Sequence, residues 1–167
     1  MANTQSMCTS FLGELMLGQH QFGTATLTSR GSLTAPTTDT FKAALYFASA
    51  TLNAGTTAYS TTGEVTNTSG SGYTAGGLTI TNATAPIATN TSTTAGTSYW
   101  TPSASFTWTA LTITSAGFDT VLVYNSTQGG KAVSVHTFGS QTITSGTFTL
   151  TMPVNNAANA LLRLSTT

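Results

Sequence analysis

Apolar and polar residues alternate most clearly between Phe106 and Phe138, in FTWTALTITSAGFDTVLVYNSTQGGKAVSVHTF. Phe106 and Trp108 share one face of the first run, and Leu111 and Ile113 share a face of its continuation. In the second run Val121 and Val123 point one way and Phe118, Leu122 and Tyr124 the other; in the third, Val133 and Val135 alternate with Ala132, Ser134 and His136. A period of two in β-branched and aromatic residues predicts strands with one buried face. Asn125-Ser126-Thr127-Gln128-Gly129-Gly130 between the last two runs predicts a hairpin turn, because Asn and paired Gly tolerate positive φ. The same period recurs in Thr40–Ala48, with Phe41, Ala43, Leu45 and Phe47 on one face. Shorter strands are predicted at Thr24–Leu27, Glu64–Val65, Leu78–Thr81, Gln141–Thr144 within a loop from Gly139 to Gly146, Thr147–Met152 and Ala160–Leu164, the last with Leu162 and Leu164 inward and Arg163 outward. About eight short strands joined by polar loops predict an all-β protein, an antiparallel β-sandwich or jelly roll.

Residues 6–17 carry the one helical period. Cys8, Phe11, Leu12, Leu15 and Met16 fall at i, i+3, i+4, i+7 and i+8, which is a single helix face. Thr4 or Ser6 can cap its start and Gly18 its end. A helix this short is marginal alone and must pack on something. It either covers an open end of the sheet or forms a docking arm, in which case Phe11, Leu12, Leu15 and Met16 are the subunit or shell contacts. The chain thus divides into an amino-terminal helical arm, 1–22, and one β-sandwich domain, 23–167. Two long Thr, Ser, Gly and Asn tracts, Ser49–Gly77 and Asn82–Thr101, interrupt the strands. Gly70, Gly72, Gly76 and Gly77 bracket Tyr73 and predict a tight corner. Tyr59, Tyr73, Tyr99 and Trp100 lie in these tracts as candidate exposed aromatics, placed either to stack on sugars or to staple the loops to the core.

Composition narrows the function classes. Charged residues make up 5% of the chain and cancel to a net charge of zero, against roughly 25% in an ordinary domain. Such a surface offers no electrostatic footprint for nucleic acid or anionic lipid. Its polarity comes from hydroxyls, with threonine close to a quarter of all residues. Neutral surfaces of this kind tend to associate. The single cysteine, Cys8, forms no internal disulfide framework and reads as a small buried hydrophobe. No basic n-region precedes the first apolar run, and no segment approaches the ~20 apolar residues of a membrane span. Sequons begin at Asn67, Asn82, Asn90 and Asn125, as chance expects in a Thr-rich chain. His20 after the helix, and His136 within a strand, lack partners at metal-ligand spacing; a helix-end hydrogen bond is the expected role of His20. Asp39, Glu64 and Asp119 are scattered, with no paired-carboxylate, triad or phosphate-loop motif. The expectation is a protein without enzymatic activity, cofactor or metal.

The order of landmarks along nearly the whole chain resembles a family of small tailed-bacteriophage virion proteins. The pieces that carry the likeness are MCTSFLGELMLGQHQF, FKAALYFASA, GYTAGG, TVLVYNSTQGGKAVSVHTFG, GTFTLTMP and ALLRL. The resemblance implies a structural component of the virion, assembled in the host cytoplasm without secretion, and no catalytic residues. Capsid decoration (cement) proteins of this texture sit on the shell as small β-sandwiches, often as trimers. The implied partners are copies of the same chain and the major capsid protein. The alternative is a tail-associated adaptor or receptor-binding module, with tail proteins or a cell-surface glycan as partner and Tyr59, Tyr73, Tyr99 and Trp100 as stacking residues.

Overall fold

The computed structural model describes residues 3–16, 18–22, 38–65, 71–81, 85–89 and 95–165. The described elements are β1 (Ser6–Met7), α1 (Thr9–Met16), β2 (Phe41–Phe47), β3 (Leu78–Thr79), β4 (Ile87–Ala88), β5 (Thr97–Trp100), β6 (Phe106–Asn125), β7 (Lys131–Leu150) and β8 (Leu162–Ser165). They form a five-stranded sheet in the order β1–β7–β6–β2–β3 and a three-stranded sheet in the order β4–β5–β8. Every pairing among them is antiparallel. The chain is therefore an all-β, sandwich-like protein with one short helix. The strand expected at Thr24–Leu27 and the sequons at Asn67, Asn82 and Asn90 lie outside the described residues, as does Gly70.

The expected hairpin exists, but its arms are far longer than the separate runs suggested. β6 and β7 each span 20 residues. The stretch read as a loop from Gly139 to Gly146 is continuous strand, because Thr and Ser at these positions suit a pleated surface. This ribbon does not stay straight. Phe138 and Phe148 lie ten residues apart on β7, about 33 Å in an extended strand, yet their ring centroids are 4.9 Å apart. Phe118, paired with Gln141 in the ladder, also sits 5.1 Å from Phe148. The ribbon therefore folds back on itself. Register shifts supply the bend: Ile113 to Phe118 takes five steps on β6 while Ile143 to Gln141 takes two on β7, and extra residues on one strand turn the pair sharply. The halves on either side of the bend face each other through these aromatic rings.

One consequence corrects the expectation of a single buried face. Val121, Leu122, Val123, Tyr124 and Asn125 are all buried, so this part of β6 is covered on both sides. α1 contributes to one covering. It begins at Thr9, three residues later than the sequence period suggests, because Ser6 and Met7 pair as strand with Val135 and Ser134. It ends as expected: Gly18 takes φ +69°, Gly18 N–H donates to Leu15 O at 3.0 Å and Gln19 N–H to Glu14 O at 2.9 Å, which is the Schellman pattern. Cys8, Phe11 and Phe22 belong to the same apolar core as β2, β6 and Leu162, so the amino-terminal segment is built into the domain. Burial pushes the Cys8 thiol up to about 11, with the Glu14 charge adding to it, as for a small core residue.

The Tyr73 corner crosses this core. Gly72, Gly76 and Gly77 all take positive φ. Gly77 is the strictest case: a Cβ there would lie 1.9 Å from the Ala43 carbonyl oxygen, and its φ is +71°. Replacing it strains the backbone and pushes β3 off β2. Gly77→Ala is expected to lower stability by more than about 2 kcal/mol, measured by chemical denaturation; Gly13→Ala inside α1, where a Cβ meets nothing within 4 Å, is the contrast and is expected to raise stability by up to about 1 kcal/mol.

Candidate functional site

Two polar clusters use most of the chain's acids, and both lie inside. In the first, Glu14 on α1 accepts from Lys131 Nζ and His20 Nε2, each at 2.7 Å. Asn125, at the end of β6, has its amide fixed by two backbone donors, Thr127 N–H and Gln128 N–H, on Oδ1. Its Nδ2 then donates to Asp39 Oδ2 at 2.7 Å and lies 3.1 Å from His20 Nδ1. Nδ1 of His20 therefore accepts, and Nε2–H is the atom that donates to Glu14. Gln21 N–H and Gln128 Nε2 complete the shell of Asp39. Histidine and acids do converge here, but the His20 side chain has no exposed surface, and no nucleophile or cleft accompanies it among the described residues. The cluster ties the end of α1 to the β6–β7 turn, consistent with the helix-end role expected of His20. Asn125 is fully buried and its Nδ2 is used within the cluster, so the fold leaves no room for a glycan on this sequon.

The second cluster centres on Glu64, whose backbone bridges to Tyr46 beside β2. Its carboxylate accepts from Tyr59 OH at 2.6 Å, Tyr73 OH at 2.7 Å and Gly76 N–H at 2.6 Å. Tyr124 OH donates to Gly76 O, and Tyr46 OH to Ser60 O. Burial, then the Glu64 charge, raises Tyr59, Tyr73 and Tyr124, the last to about 12. These phenols remain protonated donors across physiological pH.

These contacts correct the expectation of exposed aromatics. Tyr73 is 1% exposed and Trp100 2%. Trp100 packs between Phe22, at 4.8 Å between rings, and Phe41, at 6.2 Å, so it staples β5 to β2. Tyr59 is half-buried and stacks on Tyr124 at 4.6 Å, and Tyr99 is half-buried beside α1. Phe11 is likewise core, because its ring meets His20 and Phe22 edge-on; it is not an outward contact. Leu12 is outward, and Leu15 is half-buried. The Met16 side chain lies outside the described residues.

What the sequence pattern did not reveal is the surface between α1 and the three-stranded sheet. Met7, Phe11 and Leu15 on one side, and Pro86, Trp100 and Leu164 on the other, line an apolar groove of about 270 Å³. No charged side chain among the described residues lines it. Leu164, expected inward, is 43% exposed, and Leu12 and Ile87 are 42% and 41% exposed. β8 reaches past the core at Leu164, so the inward side of its alternation opens into this groove. Among the described residues no group of three or more His, Cys, Asp or Glu is placed to hold a metal ion. The arrangement suits contact with another apolar surface, because it has a desolvated floor and few groups that demand hydrogen bonds.

Two measurements check these assignments. Trp100→Ala is expected to cost about 3–5 kcal/mol in equilibrium unfolding, whereas an exposed stacking residue would cost less than about 0.5 kcal/mol. Acid titration of stability checks the polar groups. Desolvation lowers His136 from 6.5 to about 4, so the unfolded state binds its proton first and stability falls as pH drops from 6.5 to about 4. For Glu14, burial raises the carboxyl, but the bonds from Lys131 and His20 outweigh that and the net shift is downward. Its contribution is complete above the ordinary 4.5 and is lost as pH falls through the lowered value. His136→Gln is expected to flatten the stability profile between pH 6.5 and about 4 while leaving the loss at lower pH in place.

Comparison of the chain with protein-family models, with curated proteins and with solved structures returned no match, and the reading of the groove rests on its own geometry.

Proposed function

We propose that this protein is a non-enzymatic structural component of a tailed-phage particle: a capsid decoration protein that binds the shell and neighbouring subunits. The observation that carries the reading is the uncharged apolar groove that the exposed Leu164 lines, with the exposed side chains of Leu12 and Ile87 on α1 and β4 adding apolar surface. The interior placement of Glu14, Asp39 and Glu64 supports it, since their capacity is used in holding the chain together. The few residues that line the groove fall short of the roughly 20–30 a side of a standard stable interface. A repeating lattice compensates, because many weak contacts engaged together hold far more tightly than one. The tail-associated alternative remains distinct in copy number, although its sugar-stacking form loses Tyr73 and Trp100 to the core.

Quantitative mass spectrometry of purified particles tests the reading. The protein is expected at a copy number on the scale of the shell, and a Leu12→Asp, Ile87→Asp, Leu164→Asp triple variant is expected to fold yet be missing from particles. Absence of the unaltered protein from particles overturns the reading; a copy number on the scale of the tail transfers it to the adaptor.

A further inference from the structure

The outer edge of β7 is left without the usual protection. β1 covers Ser134 and Val135, and residues 57–58 meet the start of the strand at Lys131 and Ala132. From His136 to Leu150 no strand among the described residues pairs with that edge. The corresponding edge of β6 is paired with β2 along Phe118–Asn125, and farther along it Thr112 N–H donates to Ser71 O. Open edges are normally blunted by charge, proline or bulges. Ala132–Leu150 contains no Lys, Arg, Asp, Glu or Pro. Register shifts interrupt the ladder up to Phe148, but Trp108↔Phe148, Thr107↔Thr149 and Phe106↔Leu150 run in unbroken register. Phe148–Leu150 is therefore a straight, neutral edge about 10 Å long, and between Gly146 and Phe148 the extra residue lies on β6, not on β7.

Burial gives an independent sign that a strand is missing there. Phe106 and Trp108 on β6 are buried, but Leu150 and Phe148, their partners on β7, are only half-buried, as is Met152 beyond them. Val154 is 69% exposed. The apolar face thus ends one strand short of being covered. The buried indole Nε1 of Trp108, opposite Phe148, has no acceptor among the described residues.

We infer that a second copy of this chain covers the edge, with Gly146–Leu150 of two copies pairing antiparallel across a two-fold axis. The same edge of two identical strands meets in the antiparallel, isologous sense. The segment is complementary to itself. With Phe148 on the axis, Thr147 faces Thr149 of the partner subunit, repeating the hydroxyl pair that Thr107 and Thr149 already make at 3.2 Å within the ribbon. Phe148 and Leu150 of each copy extend the other's half-buried row, and no charge opposes the approach. This interface needs neither shell nor tail, so it stands apart from the virion reading.

Sedimentation velocity with hydrogen exchange tests it. The wild-type protein is expected to form dimers, with amide exchange at residues 146–150 slowing as concentration rises. Thr147 and Thr149 are both exposed, so Thr147→Lys/Thr149→Lys is expected to keep the wild-type circular-dichroism spectrum while weakening dimerisation by more than about tenfold through facing like charges. The exchange measurement needs no variant and decides the matter if the double substitution does not fold. A wild-type monomer at millimolar concentration, an oligomer that the lysines leave intact, or amides at 146–150 that exchange independently of concentration would each overturn the inference.

Discussion

The contact of Phe148 with Phe118 and Phe138 is the constraint on which the architecture depends. It joins two parts of one ribbon that a straight ladder would hold more than about 20 Å apart, and it does so only because bulges between Ile113 and Phe118 turn the pair. Each bulge gives up ladder hydrogen bonds locally. Full burial of Phe118, worth roughly 1.5–3 kcal/mol, and partial burial of Phe138 and Phe148 offset that loss. A single hairpin thereby supplies both walls of most of the core, and the remaining strands, helix and corner close its open sides.

The placement of the chain's scarce charges follows from the same arrangement. Glu14, Asp39 and Glu64 are inside, and each is held by several directed donors. Buried acids of this kind do little for net stability compared with well-packed hydrocarbon, but an unmet one would be strongly destabilising. They act as locating pins: Glu14 and Asp39 position the helix end against the hairpin turn, and Glu64 positions the glycine corner against β2. The outer surface is left to threonine and serine hydroxyls, which hydrate without long-range fields.

Much of the fold was legible in the residues themselves. The alternation in Phe41–Phe47, the Asn125–Gly130 turn and the Gly18 stop each specify local geometry through a short-range rule, and the structure follows them. The bend was not legible, since loop composition and strand composition coincide in a chain where threonine serves both; Gly139 and Gly146 read as loop ends while the chain between them stays in the strand, with a bulge at Ser145, φ +49°. Nor could periodicity place Tyr73 or Trp100. Both sit in polar tracts, and their burial depends on Glu64 and on Phe22 and Phe41, which are distant in sequence. The groove was invisible for the same reason: its walls come from the amino-terminal segment, from residues 86–100 and from Leu162 and Leu164.

The pairing of Ser6 with Val135 places a long interval between two strands that must meet. During synthesis the first of them leaves the ribosome well before the second is made, and until then it can make only its backbone bonds to Leu52 and Ala54. Closure of so wide a loop is slow compared with local turn formation. Cys8, Phe11 and the apolar side of the helix must therefore remain uncovered until translation passes the hairpin, which makes the nascent amino-terminal segment a natural client for holding chaperones.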